Sequence, residues 1–366
     1  MQKTAALPRD IAAFTMLRGL AAWWVVLYHV RDHFMMYWPN WFDHLAGKGY
    51  LAVDFFFILS GFVIQLNYGH KMEPRSGQWL GFWIKRLARI YPLHLLSLLL
   101  VIIYSAALIT SGRPLTPNYD MSHLWMQILL IHNWGFTSHL AWNVPSWSIS
   151  TEWGAYLLFP FWCLVLQGQK RRSATLICVL LISAALLCLL YAGQGYRLLG
   201  QNIMHYGLFR CVLQFAMGSV LCILWQRHGH IRGWGYASAA GAAMLGLMAY
   251  IWEWPEIFWL SLLWVLLLYA IASLTASLKP AYMMQPFVFL GDASYATYLL
   301  HYVLFIYWKA LFWSADMQAP LWHLFAFMAV LLGLSGLTYV YFEKPAQRWV
   351  MNLWFVQKRP QGVARW

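Results

Sequence analysis

Charge is scarce in this chain. Only 10% of its 366 residues are charged, and just 12 are Asp or Glu. Soluble domains carry about 25% charged residues, so composition excludes an ordinary soluble fold. Cysteine is also sparse, with five residues and no Cys-x-x-Cys pair. Neither a disulfide framework nor a zinc site is expected, and the cysteines read as small apolar packing residues. No polar stretch is long enough to form a second, soluble domain. No internal repeat points to a transporter built from two related halves. A cleavable signal peptide is not evident, because the first apolar run carries Arg18 inside it and leads into further runs.

Hydrophobic residues fill the space that charge leaves, at 61% of positions. Apolar stretches that span a bilayer, or nearly do, fall at 11–31, 51–67, 87–111, 152–167, 173–192, 208–226, 233–251, 257–276, 290–313 and 321–342. The expected fold is therefore all-α, a polytopic membrane protein of about ten transmembrane helices. The 24 Trp and 21 Tyr gather near the ends of these runs, as interfacial aromatic belts do.

The net charge of +13 would suggest nucleic acid in a soluble protein. Here the basic residues punctuate apolar runs, so topology and anionic lipid explain them and no nucleic-acid partner is expected. With the N-terminus inside, 18 of the 25 Lys and Arg fall in cytoplasmic segments; six, Arg210 among them, fall on the other face. An even helix count then puts both termini in the cytoplasm. The longest loop, about 112–151, becomes external. Its irregular backbone at near-membrane depth needs cover from protein or a water-filled cavity. The expected division is one integral-membrane domain, 9–349, and a cytoplasmic tail, 350–366.

Ionisable groups within spans are expensive and mark function by default. In the first span Arg18 and His29 are eleven residues apart, which places them on one helix face about 16 Å apart along the axis. Either alone could be an interfacial anchor; together they read as lining an internal path. Asp54 opens the second expected span and Glu152 the fourth, both at outer ends. His29, Asp54 and Glu152 are thus expected at one depth, where a carboxylate can orient the imidazole and raise its basicity as a general base requires. On the cytoplasmic side Lys85, Arg86 and Arg89 form a compact basic patch suited to phosphates, with lipid anchoring as the plainer reading of Lys85. Gly291-Asp292 opens a further helix, with Asp292 a candidate cap and His301 mid-span.

These motifs, in this order, resemble the acyltransferase-3 family of integral-membrane enzymes that O-acylate bacterial surface glycans. Arg18 and His29 match its Arg-x10-His signature, and Asp54 to Gly61 its Asp-x-Phe-Phe-x-x-Ser-Gly run. Arg86 to Pro92, Trp147 to Glu152, the Gly-x-x-Ser-Tyr…Leu-His segment and the Glu-Lys-Pro ending match as well, over about residues 9–349. Trp153 stands where Glu, Phe or Tyr is usual, without touching the chemistry.

The resemblance implies transfer of an acyl group, expected to be acetyl, from cytoplasmic acyl-CoA to a carbohydrate hydroxyl, in the bacterial cytoplasmic (inner) membrane. Lys85, Arg86, Arg89 and Arg18 would serve the donor, His29 would be the base, and Glu152 or Asp54 would orient it. A covalent acyl-histidine is the alternative. No metal is expected. Many members end in an extracytoplasmic esterase-like domain, so this chain is expected to complete transfer within its membrane domain or to hand the acyl group to a partner protein. The competing class is a secondary transporter with His29, Arg18 and Glu152 as a proton relay, which the lack of repeats and of broken-helix Gly/Pro pairs disfavours. A scaffold without turnover would leave the titratable cluster unexplained.

Overall fold

The structure is a computed structural model that describes residues 11–72, 78–166, 172–278, 280–313 and 319–357. The domain start at residue 9, the tail residues 358–366 and the loop charges Lys170, Arg171 and Lys279 lie outside the described residues. Every regular element among the described residues is helical. In chain order these are α1 (Ala12–Val30), α2 (Asn40–Gly47), α3 (Ala52–Tyr68), α4 (Gln78–Thr110), α5 (Leu124–Ile128), α6 (Trp147–Leu166), α7 (Ser173–Ala192), α8 (Ile203–His228), α9 (Arg232–Ile251), α10 (Glu256–Thr275), α11 (Gln285–Asp292), α12 (Ser294–Phe312), α13 (Leu321–Thr338) and α14 (Lys344–Gln357). A π turn, Tyr339–Glu343, joins the last two.

Among the described residues, eight helical segments are long and apolar enough to cross a membrane, built on α1, α3, α4, α6, α7, α8, α10 and α13. The chain is a multi-pass membrane protein. The other two expected spans coincide with α9 and α12, helices of 20 and 19 residues that fall outside the eight. Glycine and alanine dilute the hydropathy of α9, while four tyrosines, His301 and Lys309 dilute that of α12.

Several boundaries differ from the sequence expectation. Helix α4 starts at Gln78 and runs 33 residues, about 50 Å, so Lys85, Arg86 and Arg89 sit inside it rather than at its start. Helix α6 starts at Trp147, so the polar run Ser148–Thr151 is buried in its first turns. Asp292 ends α11 and makes no cap for α12, whose first turn has no side-chain cap. Helix α14 runs through the expected tail boundary at 349/350.

Small residues set the close crossing of α3 and α8. A methyl group on Gly61 of α3 would meet the Phe215 carbonyl of α8, and one on Gly218 would meet the Ile58 carbonyl. With the backbones this near, Ile58, Phe62, Met217 and Leu221 are buried in one core between the two helices.

At the C-terminal end of α1 the segment from 111 to 146 folds back into the helix bundle. His132, Asn133, Asn143 and Ser146 are buried there. The Gln127 amide donates to the Ala141 carbonyl (3.0 Å), His94 Nε2 lies 2.9 Å from the Gln127 carbonyl, and Asn143 Nδ2 donates to the Leu299 carbonyl (3.1 Å). The inner part of the segment, around residues 126–133 and 141–146, is thus covered by protein, while residues 111–118 are exposed.

Candidate active site

Arg18 and His29 of α1, Asp54 of α3 and Glu152 of α6 do not form one cluster. Asp54 is fully buried and committed to α8. Its Oδ1 accepts from Arg210 Nε (2.7 Å) and Gln214 Nε2 (2.6 Å), and its Oδ2 from Arg210 Nη2 (2.6 Å). Arg210 Nη1 donates to the Leu199 carbonyl at 2.8 Å. These Asp54 contacts are all with α8 and none is with His29, whose partners are Val25 and His301, which corrects the expectation that Asp54 orients that ring. Arg210 likewise is a buried ion-pair partner and no loop charge.

Glu152 is also displaced from the expected level. Its Oε1 accepts from Ser60 Oγ and from Tyr156 OH, each at 2.5 Å. Ser60 is six residues beyond Asp54, so Glu152 lies about 9 Å deeper along α3 than Asp54 does. The shared depth of His29, Asp54 and Glu152 is therefore not observed. The reason is the early start of α6, which carries Glu152 into its second turn.

What Glu152 joins instead is a cavity of about 180 Å³. Arg18 of α1, Ser60 of α3, Arg86 and Arg89 of α4, Glu152 and Tyr156 of α6, and Tyr295 and Tyr298 of α12 line it. Lys85 does not; it is exposed, its ammonium 6.0 Å from the Tyr68 ring. Arg86 donates to Tyr68 OH (3.3 Å) and lies over the Tyr68 and Tyr156 rings. Arg89 is ion-paired to buried Glu343 of the π turn and lies over Tyr295. The Nε atoms of Arg18 and Arg86 are buried without a hydrogen-bond partner among the described residues. Such groups are costly and call for a polar ligand. Three guanidiniums against two carboxylates, Glu152 and Glu343, leave the cavity with an excess of positive charge.

His29 lies further along α1, toward the 111–146 segment. Its Nδ1 is 2.9 Å from the Val25 carbonyl and 3.3 Å from His301 Nε2. A carbonyl only accepts, so Nδ1 carries the proton and Nε2 presents a lone pair. Nε2 makes no hydrogen bond among the described residues, and the ring is half-buried. The groups that orient His29 are thus Val25 and His301, with Tyr302 beside the ring (6.1 Å). Tyr298, one turn before Tyr302, bonds Ser148 (2.8 Å), faces His301 and also lines the arginine cavity. The cavity and His29 are therefore neighbours along α1 and α12, separated by the Tyr298 side chain.

Comparison with known proteins decides the family. Residues 11–340 match the acyltransferase-domain family, acyltransferase 3. The chain belongs to this family. It is accordingly an O-acyltransferase. It is 29% identical over 340 residues to the acyltransferase MdmB of Streptomyces mycarofaciens, covering 83% of this chain and 82% of that one. It is 23% identical over 371 residues to the putative peptidoglycan O-acetyltransferase YrhL of Bacillus subtilis (strain 168), with 92% of this chain and 55% of the relative covered. With the O-acetyltransferase OatA of Staphylococcus aureus (strain MRSA252), identity is 23% over 390 residues, covering 98% and 61%. The acyltransferase thus spans little more than half the length of the latter two. No solved structure matches.

Two ion-pair partners, Arg210 and Glu343, escape a reading of the sequence. Arg210 reads as a loop charge because its partner Asp54 is 156 residues away. Glu343 carried a signal, since a lone carboxylate in an otherwise acid-poor segment demands a cation, but nothing named Arg89 as that cation.

Proposed function

We propose that the acyltransferase moves an acyl group, in the first place acetyl, from acyl-CoA on the cytoplasmic face to a hydroxyl of an extracytoplasmic or lipid-linked carbohydrate. The observation that carries this reading is the arginine cavity, where the unpartnered Nε of Arg18 lies on the same helix as the bare Nε2 of His29 and Arg86 of α4 brings a second unpartnered Nε. The basic bias of the N-terminal side makes that face cytoplasmic and both termini internal, with ten spans when α9 and α12 are included. The membrane is then the bacterial inner membrane. The domain is the integral unit 9–349.

Arg18 and Arg86 hold the anionic part of the donor, and Lys85 lies outside the cavity where it attracts phosphate or lipid headgroups. Arg89 acts with its counter-ion Glu343. Arg18 and His29 are about 16 Å apart along α1, about the reach of an extended pantetheine arm, so a thioester can pass Tyr298 to His29. There His29 Nε2 takes the proton of the acceptor hydroxyl as the hydroxyl oxygen attacks the thioester carbonyl, and the C–S bond then breaks with that proton passing to the departing coenzyme A thiolate. Glu152 positions Ser60 and Tyr156 and balances the guanidiniums. The acyltransferases MdmB, YrhL and OatA support the reaction class, O-acetyltransferase in two of those names favours acetyl, and the word peptidoglycan in the name of YrhL favours a glycan acceptor.

The test is glycan composition by mass in cells carrying the wild-type gene, no gene, or His29→Ala. Acetyl mass should appear on a surface glycan with the wild type alone. Equal glycan masses in all three strains would contradict the proposal.

A further inference from the structure

On the face where His29 lies, three side chains from two loop segments converge without a role in the acyl-transfer path. Asp120, His123 and His139 each offer one ligand atom, and these atoms lie within 4.8 Å of one another. Asp120 and His123 sit in the turn Pro117–His123, and His139 in the returning segment before α6.

From this geometry we propose that Asp120, His123 and His139 form a binding site for a divalent transition metal, suited to Zn²⁺. The donor set is right for it: two imidazoles and one carboxylate, with further positions open to water. Asp120 Oδ1 accepts from the Ser122 amide (2.8 Å), which fixes the carboxylate and leaves Oδ2 3.9 Å from His123 Nε2. His123 makes no hydrogen bond to a described residue, and its Nδ1 is buried. A half-buried imidazole whose Nδ1 has no partner among the described residues, with its Nε2 only 3.9 Å from a carboxylate oxygen, is an arrangement that a metal ion would satisfy. His139 is held by contact of its Nε2 with the Pro117 carbonyl (3.2 Å), the kind of outer contact that orients metal-binding histidines.

Bonds of about 2.0–2.2 Å place tetrahedral ligands roughly 3.3 Å apart. The three groups must therefore draw in by up to about 1.5 Å from their present 4.8 Å limit, which side-chain rotation in loop segments allows.

The ion would staple two segments already joined by Trp142, whose backbone amide donates to the Asn118 carbonyl (2.7 Å) and whose ring N–H donates to the Asp120 carbonyl (3.1 Å). Tyr119 packs on Trp142 and on Tyr104 of α4, which contacts Tyr307 of α12. Tyr302, beside His29, belongs to the same aromatic group. A metal here would stiffen the cover over the outer end of the His29 path. The site itself does not depend on the acyl-transfer reading.

The experiment uses the full chain, purified in detergent on a tag free of histidine, stripped with EDTA and titrated with Zn²⁺ alone. One Zn²⁺ per chain should bind with micromolar or tighter affinity. Loss of outer-shell partners alone costs about 10- to 100-fold, so His123→Ala and His139→Ala should each weaken binding by at least about 100-fold. Apo melting temperatures of the variants should match the wild type, which separates a lost ligand from a lost fold. Zn²⁺ should also slow proteolysis between residues 111 and 142 in the wild type and not in the variants. Absence of saturable binding, or variants that bind as the wild type does, would overturn the site. Binding without protease protection would overturn the staple.

Discussion

Arg210 of α8 grips Asp54 of α3 with two nitrogens, at 2.7 and 2.6 Å, in a position where both side chains are almost fully buried. Removing one partner of a buried pair leaves the other charge uncompensated, at a cost of about 3–5 kcal/mol. Asp54→Ala should therefore lower membrane abundance and melting temperature before any question of catalysis arises. Thermal unfolding of detergent-purified protein checks this. A variant with normal melting and abundance but no activity would return Asp54 to the chemistry.

The α3–α8 crossing makes a second demand. Gly61→Ala would drive a methyl into the Phe215 carbonyl, and the helices cannot part without opening the core around Ile58 and Phe62. Overpacking of this kind costs about 1–3 kcal/mol. The expected result is a melting temperature several degrees lower. An unchanged melting temperature would mean that the crossing is looser than the structure shows.

These two contacts mark the limits of legibility in the sequence. Long apolar runs announced α1, α7 and α10 because burial in lipid needs continuous hydropathy, which is local information. The Arg18–His29 face was legible for the same reason, since helical periodicity fixes it within one element. The partner of Asp54 is not legible, because a carboxylate at a span end looks alike whether it faces a histidine or an arginine 156 residues away. Glu152 was placed too shallow because Ser148, Ser150 and Thr151 look like loop and are in fact buried helix.

Glu152 is the nearest negative charge in a cavity lined by three guanidiniums. Glu152→Gln keeps the contacts with Ser60 and Tyr156 in shape and removes that charge. An anionic donor should then bind more tightly, with KM lower by about tenfold, or roughly 1.4 kcal/mol, while kcat falls. Donor titration in membrane vesicles measures both. A higher KM would show that Glu152 contacts the donor through a hydrogen bond its charge strengthens.

His301 touches His29 Nδ1 at 3.3 Å and lines no part of the arginine cavity. As a positioning residue it should affect kcat alone. His301→Ala should lower kcat by about 10- to 100-fold, the usual cost of losing an orienting partner, with the donor KM unchanged. His301→Gln, which restores a polar contact, should recover part of the rate. Equal effects on KM and kcat would place His301 in donor binding instead.

The division between an arginine cavity that holds the donor and a histidine that acts on the acceptor is tested most directly by donor-dependent acylation kinetics in proteoliposomes. The comparison is wild type, Arg86→Ala and His29→Ala at matched protein levels. A charge-assisted contact is worth about 1.5–3 kcal/mol, so Arg86→Ala should raise the donor KM about 10- to 100-fold and recover most of its rate at high donor. His29→Ala should lose about 10² to 10⁴ in kcat, and no donor concentration should restore it. An Arg86→Ala enzyme with wild-type KM, or a His29→Ala enzyme with wild-type kcat, would contradict the account.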